Sequence, residues 1–272
     1  GDQESPTIIS GNGTAQGTAN FQTGTYSLSE SDGPAGYTPD GTWSCVVNGG
    51  SPILSNSVTL GLADTAICSI TNDDQPGTLI IQKTVINDNG GTNTASNFFF
   101  HVGDGSAIAF NETADDDGNA LTGENTVTVD AGDYEVIENS AAGYGTTLGA
   151  DCSGTIANGE TKTCAITNND GQATLHIVKY VGEGNPDATF DFNLEGGNEF
   201  STSTSVTTTE GDGSATISID AGTYNLQEVS PAGWTLSEAS CNNESGLLDG
   251  DTIYSVDVAA GDNITCTFYN NA

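Results

Sequence analysis

Short runs in which apolar and polar residues alternate dominate the chain: Thr126-Val127-Thr128-Val129, Ala215-Thr216-Ile217-Ser218-Ile219 and Tyr254-Ser255-Val256-Asp257-Val258. A period of two is that of a strand with one face buried. Clusters of Gly, Asp and Asn between the runs read as turns. No window carries apolar residues at helical spacing over the length a helix needs. The pattern predicts an all-β chain of repeated sandwiches. At 272 residues it has room for two to three domains of ordinary size.

Comparison of the chain with itself shows one signature three times. The first copy reads Gly24-Thr25-Tyr26-Ser27-Leu28-Ser29-Glu30, then Gly33-Pro34-Ala35-Gly36-Tyr37. The second reads Gly132-Asp133-Tyr134-Glu135-Val136-Ile137-Glu138, then Ala141-Ala142-Gly143-Tyr144. The third reads Gly222-Thr223-Tyr224-Asn225-Leu226-Gln227-Glu228, then Ser230-Pro231-Ala232-Gly233-Trp234. Each is followed by a cysteine, Cys45, Cys152 or Cys241, and later by a closing segment that begins with another. The closing segments are Cys68-Ser69-Ile70-Thr71-Asn72, Cys164-Ala165-Ile166-Thr167-Asn168 and Cys266-Thr267-Phe268-Tyr269-Asn270. The predicted domains are 1–74, 75–170 and 171–272. The linkers Asp73-Asp74-Gln75-Pro76-Gly77 and Asn169-Asp170-Gly171-Gln172-Ala173 are too short for free tumbling.

The second and third copies open with a strand that carries a lysine, Thr78-Leu79-Ile80-Ile81-Gln82-Lys83 and Thr174-Leu175-His176-Ile177-Val178-Lys179. The first copy has too few residues before Glu30 for such a strand at the same distance. The chain is therefore expected to start partway through its first domain, without the lysine strand and the strand after it.

Composition sharpens this. The chain has 37 acidic residues, 3 Lys plus Arg and a formal charge of −34. So negative a chain repels nucleic acid and anionic membranes. With so little basic character elsewhere, two lysines at matched strand positions imply a specific task. A lysine on a buried face must be paired, shifted in pKa or chemically consumed.

Six cysteines, two per repeat at matched positions, read as three disulfides within domains: Cys45–Cys68, Cys152–Cys164 and Cys241–Cys266. Disulfides place the chain outside the cytosol. Without CxxC and with two histidines, a zinc site is not expected. Neither a signal peptide nor a membrane span is recognisable, so the chain reads as a mature product or an excised piece.

The lysine strand, the Tyr-x-Leu-x-Glu strand, the Pro-Ala-Gly-Tyr turn and the asparagine of the last strand, in that order, resemble the prealbumin-like or collagen-adhesin B-type (CnaB, SpaA-like) repeats of bacterial surface proteins and pilins. The resemblance spans almost the whole chain. It implies Ig-like, prealbumin-like β-sandwiches in tandem, the first lacking its N-terminal strands, serving as stalk, fibre or adhesin modules. In many such repeats lysine and asparagine side chains condense into an isopeptide bond while a buried glutamate moves the protons. Carried over, Lys83 would join Asn168 with Glu138 assisting, and Lys179 would join Asn270 with Glu228 assisting. The first domain keeps Glu30 and Asn72 without a lysine, an incomplete site. The opposing reading is a structural ion pair of each lysine with its glutamate, the disulfides standing in for the isopeptide.

The remaining chemistry is sparse. Lys162 is expected to face solvent, and His101 and His176 to be ordinary surface or edge histidines. Tyr37, Tyr144 and Trp234 plug the sandwich ends or, alternatively, form a sugar-binding platform. Asp115, Asp117 and Asn119, or Asn87-Asp88-Asn89-Gly90, are weak Ca²⁺ candidates without the late glutamate of an EF-hand; no other cofactor is implied. Sequons occur at Asn12, Asn111, Asn243 and Asn263. No Ser-His-Asp, Cys-His or paired-carboxylate constellation is present, so no enzyme acting on an external substrate is expected. The expected function is an extracellular, cell-surface structural protein, a segment of a pilus-like filament or adhesin stalk. Its partners would be further copies or a longer repeat chain. The first domain would be cleaved from preceding residues or completed by a neighbour's strand. The alternative is an adhesin that binds a glycan or protein through its loops. Neither nucleic-acid binding nor membrane insertion is expected.

Overall fold

The structure, a computed structural model, describes residues 22–30, 33–113, 119–196 and 200–272, with the Phe200 side chain left aside. The described chain is strand joined by turns and loops, and its helical segments among the described residues are short 3₁₀ turns at Ala95–Asn97 and Ala150–Cys152. It divides into two compact units, residues 1–76 with 157–159, and residues 77–156 with 160–272.

The first unit holds a two-stranded sheet, Gly24–Ser27 against Ser57–Leu60. It also holds a three-stranded sheet ordered Ile53–Leu54, Tyr37–Val47, Ala66–Asp74. Of its described apolar side chains only Cys45 and Val58 are buried, while Leu54 is 73% and Ile67 76% exposed. Strand Ala66–Asp74 pairs along one edge with Tyr37–Val47 and has no strand on its other edge among the described residues.

The second unit contains two hydrophobic cores. The first gathers Leu79, Ile81, Phe98, Phe100, Phe110, Val136 and Ile166 between two sheets. One sheet runs Tyr144–Leu148, Thr161–Asp170, Gly77–Ile86, Thr122–Val129, Glu112–Thr113; the other runs Ser153–Ile156, Gly132–Glu138, Phe99–Val102, Ile108–Ala109. The second core is built alike around Leu175, Ile177, Phe190, Phe192, Leu226 and Phe268. Its sheets run Asp212–Ile219, Ala173–Val181, Asn263–Asn271, Thr235–Cys241 and Phe200–Thr207, Thr189–Gly196, Gly222–Val229, Thr252–Val258, Leu247–Asp249.

In both sandwiches the first and last strands are parallel neighbours. Gly77–Ile86 lies beside Thr161–Asp170 with Lys83 opposite Ile166 and Val85 opposite Asn168. Ala173–Val181 lies beside Asn263–Asn271 with Lys179 opposite Phe268 and Val181 opposite Asn270. Alternation then forces the lysines inward. Leu79, Ile81, Lys83 and Val85 are buried on one face of their strand, as are Leu175, Ile177 and Lys179 on theirs.

The segment expected as a linker between these sandwiches is mostly strand, since Thr161–Asp170 ends two residues before Ala173–Val181 begins. Asp170 accounts for this: its buried carboxylate accepts hydrogen bonds from the backbone of Asn89 and Gly91, tying the strand end to a loop. The turn motif has a backbone cause as well. Gly143, at φ 78°, occupies the left-handed region, and a Cβ there would lie 2.1 Å from the Ala260 carbonyl oxygen.

Candidate functional site

Each sandwich in the second unit buries a lysine, a glutamate and an asparagine together. Lys83 Nζ contacts both Glu138 Oε1 and Asn168 Oδ1. The three side chains come from the first strand, from Gly132–Glu138 in the opposing sheet, and from the last strand. The Lys83 and Glu138 side chains are 0% and 1% exposed, and Asn168 is fully buried.

In the other sandwich Lys179 Nζ lies 2.6 Å from Asn270 Oδ1 and 3.4 Å from Glu228 Oε2, with both ionic side chains 0% exposed. Asn270 Nδ2 donates to Glu228 Oε1 at 2.5 Å. The lysine nitrogen therefore faces the amide oxygen while the amide nitrogen faces the acid.

Burial pushes both lysine pKa values below the ordinary 10.5, with the paired glutamates opposing the shift. Aromatic faces complete the enclosure. Lys83 Nζ sits 4.1 Å from the Phe98 ring centroid and Lys179 Nζ 4.4 Å from that of Phe190. Tyr144 packs edge-on against Phe98, and Trp234 against Phe190. The turn aromatics thus cap the lysine pockets, and Tyr144 is further held by donating its hydroxyl to Asn87.

Phe98, Phe190 and Thr146 belong to no repeated motif, and Ser230 stands in the third copy's turn with no role that the sequence assigns it. The hydroxyls bridge amide and acid. Asn168 Nδ2 donates to Thr146 Oγ1 at 3.0 Å, and Thr146 Oγ1 donates to Glu138 Oε2 at 2.8 Å. Asn270 Nδ2 donates to Ser230 Oγ at 2.9 Å, and Ser230 Oγ donates to Glu228 Oε1. A weak signal existed: Ser230 lies two residues after Glu228, and Thr146 two after Tyr144.

The first unit places its pair differently. Asn72 Nδ2 donates to Glu30 Oε1 at 2.8 Å, but both residues are exposed, at a cleft lined by Pro34, Gly36, Tyr37 and Pro39. No lysine occurs anywhere in residues 1–82.

All six cysteines are joined, as Cys45–Cys68, Cys152–Cys164 and Cys241–Cys266. Lys162 is partly exposed, 3.8 Å from Glu160. His101 and His176 bond to Gly103 O and Thr216 Oγ1. Of the weak Ca²⁺ candidates, Asp115 and Asp117 lie outside the described residues, as does the sequon at Asn12, and Asn119 lies within them. Among the described residues no group of three His, Cys, Asp or Glu side chains is placed to hold a metal ion. None of the described helices is long and apolar enough to cross a membrane.

Two family models, each described as a prealbumin-like fold domain of the SpaA group, match the chain, one over residues 175–272 and the other over residues 3–70 and 74–169. The chain belongs to this family. Among solved structures, the prealbumin-like chain is similar to the Bacillus anthracis TIE protein, at 15% identity and a TM-score of 0.45 over 98% of this chain and 56% of that one. The chain thus spans just over half the length of that relative. It is also similar to the major pilin of Streptococcus pyogenes, at 14% identity and a TM-score of 0.32 over 73% of this chain and 99% of that one. The C-terminal fragment of the pilus adhesin SpaC from Lactobacillus rhamnosus GG matches at 14% identity and 0.32, over 72% and 97%. No curated protein sequence matches.

Proposed function

We propose that the chain is an extracellular load-bearing segment of a surface fibre or pilus-like filament, hardened by isopeptide bonds between Lys83 and Asn168 and between Lys179 and Asn270. The observation that supports this most is the enclosure of amine, amide and acid in a dry core, twice, joining first strand to last. Loss of the lysine's proton in an apolar pocket yields a nucleophile at neutral pH. Fixed geometry replaces the encounter of two reactants. The reaction is a single maturation event of the domain, without an external substrate. Glu138 and Glu228 are its acid–base groups. The E138A/E228A variant is expected to keep both side-chain amides, while the wild type loses two ammonia molecules. A variant that loses ammonia as the wild type does would remove the glutamates from the account.

The first unit supports a finer reading of assembly. The edge of Ala66–Asp74 that carries no strand among the described residues, beside the Glu30–Asn72 pair, corresponds to the edge that the lysine strand occupies in the next sandwich. A strand of that kind, from a neighbouring copy or from a longer repeat chain, completes this sandwich by parallel pairing. A synthetic peptide covering Thr78–Ile86 should bind the chain and protect strand Ala66–Asp74 from hydrogen exchange. Absence of both effects would count against complementation.

A further inference from the structure

The two lysine sites share a hydroxyl that comes from different places in the repeat, and this convergence rests on no sequence match. In the 77–170 sandwich it is Thr146, on the strand after the Gly143-Tyr144 turn. In the 173–271 sandwich it is Ser230, just beyond the strand that ends in Glu228-Val229. At the position matching Ser230 the first of these has Ser140, which is exposed, and at the position matching Thr146 the second has Leu236. The repeat without a lysine has Asp32 and Pro39 at the corresponding positions, so it offers a hydroxyl at neither. Lysine and hydroxyl occur together or are absent together.

We propose that Thr146 and Ser230 are proton relays of the cross-linking reaction, carrying the proton that lets the asparagine nitrogen leave as ammonia. The proposal rests on the isopeptide reading above and adds the route of the leaving group. In the Lys83 site the lysine contacts Glu138 Oε1, while Oε2 is held by Thr146, which in turn holds Asn168 Nδ2. The two carboxyl oxygens thus face the two ends of the reaction.

The protons balance. Lys83 ammonium first passes one proton to the Glu138 carboxylate, giving a neutral amine and a neutral acid. With that first proton on Oε2, Nζ bonds to Asn168 Cγ and gives its next proton to Oε1 in the same step in which Oε2 gives up its own toward Thr146, so that the acid never holds two. The amide nitrogen, now tetrahedral with a free lone pair, takes the Thr146 hydroxyl proton. Thr146 is reprotonated from Oε2, the Cγ–Nδ2 bond breaks, and ammonia leaves. The acid ends with as many protons as it held at the attack. Thr146 is itself exposed whereas Asn168 is buried, so the relay also stands where the ammonia must go out. In the Lys179 site Ser230 bridges Asn270 Nδ2 and Glu228 Oε1, and the amide nitrogen also reaches that oxygen directly. Dependence on the hydroxyl should therefore be weaker there.

The test is intact mass of freshly purified full chain, followed over time, for wild type, T146V, T146S and S230A. Wild type and T146S are expected to have lost two ammonia molecules at once. T146V should have lost one, with the second following about a hundredfold more slowly. S230A should show a smaller delay in the other sandwich. Rescue by serine separates a relay from packing, since T146V preserves shape and T146S preserves the hydroxyl. The untouched sandwich in each variant is an internal standard, and S230A carries the question alone should T146V not fold. T146V and S230A that are both fully linked in the first sample, in a protein whose wild type is linked, would overturn the relay and leave the isopeptides standing. A wild type that keeps both ammonia equivalents would overturn the isopeptide reading and the relay with it.

Discussion

Replacing Asn168 and Asn270 by alanine should lower the unfolding temperature of the two sandwiches by roughly 20 °C or more, with all three disulfides intact. The reason is the size of the loops the bonds would close. Lys83 and Asn168 are 85 positions apart, Lys179 and Asn270 91. Closing loops of that size restricts the unfolded chain by about 4–5 kcal/mol each. The disulfides close only 12 and 25 positions in these sandwiches, contributing about 3 kcal/mol each on the same scale. For domains of this size each kcal/mol is roughly 4–8 °C. The variants also leave a buried lysine facing its glutamate without the amide. Calorimetry of wild type and double variant, unreduced, checks the difference. Curves that coincide would show that no covalent bond is lost with the asparagines.

The second large effect is mechanical. Force entering at Gly77 travels along the first strand to Lys83, crosses to Asn168, leaves through Asp170 into Ala173, and meets Lys179 and Asn270 in the same arrangement. With both bonds formed, nearly the whole of each sandwich lies off the load path. Pulled from its ends, wild type should show no extension from either sandwich. N168A should release the 85 positions between the two residues less the 12 locked by Cys152–Cys164, a gain of about 250 Å. Single-molecule stretching reads this directly. Unfolding steps of that length in wild type would mean that the first and last strands are held by hydrogen bonds alone.

Much of this was legible from the chain. The alternating runs fixed the strands because the side-chain period of a half-buried strand is two, and the threefold signature located glutamate, turn and asparagine in each repeat. Lys83 and Lys179 stood out because almost no other basic residue competes with them, and their inward direction follows from the parity they share with Leu79 and Leu175. The closing cysteines gave the disulfides by matched position. What was not legible lies off the repeat. Thr146 and Ser230 fill one role from two different elements, so self-comparison cannot align them. In a chain so rich in Ser and Thr no hydroxyl is conspicuous. Phe98 and Phe190 sit in connections of different length, and their place over the lysines depends on how the sheets stack. The segment Asn169-Asp170-Gly171-Gln172-Ala173 reads as a linker, yet Asp170 gains three backbone and side-chain donors from the 87–91 loop and stays in the strand.

The most direct test of the central claim is mass spectrometry of the intact, reduced wild-type chain, followed by sequencing of its digest. The account predicts a mass short by two ammonia molecules and two branched peptides, one joining Lys83 to Asn168 and the other Lys179 to Asn270. A chain of full mass, with both lysines and both asparagines in linear peptides, would contradict it and leave two buried ion pairs in a sandwich stapled by disulfides alone.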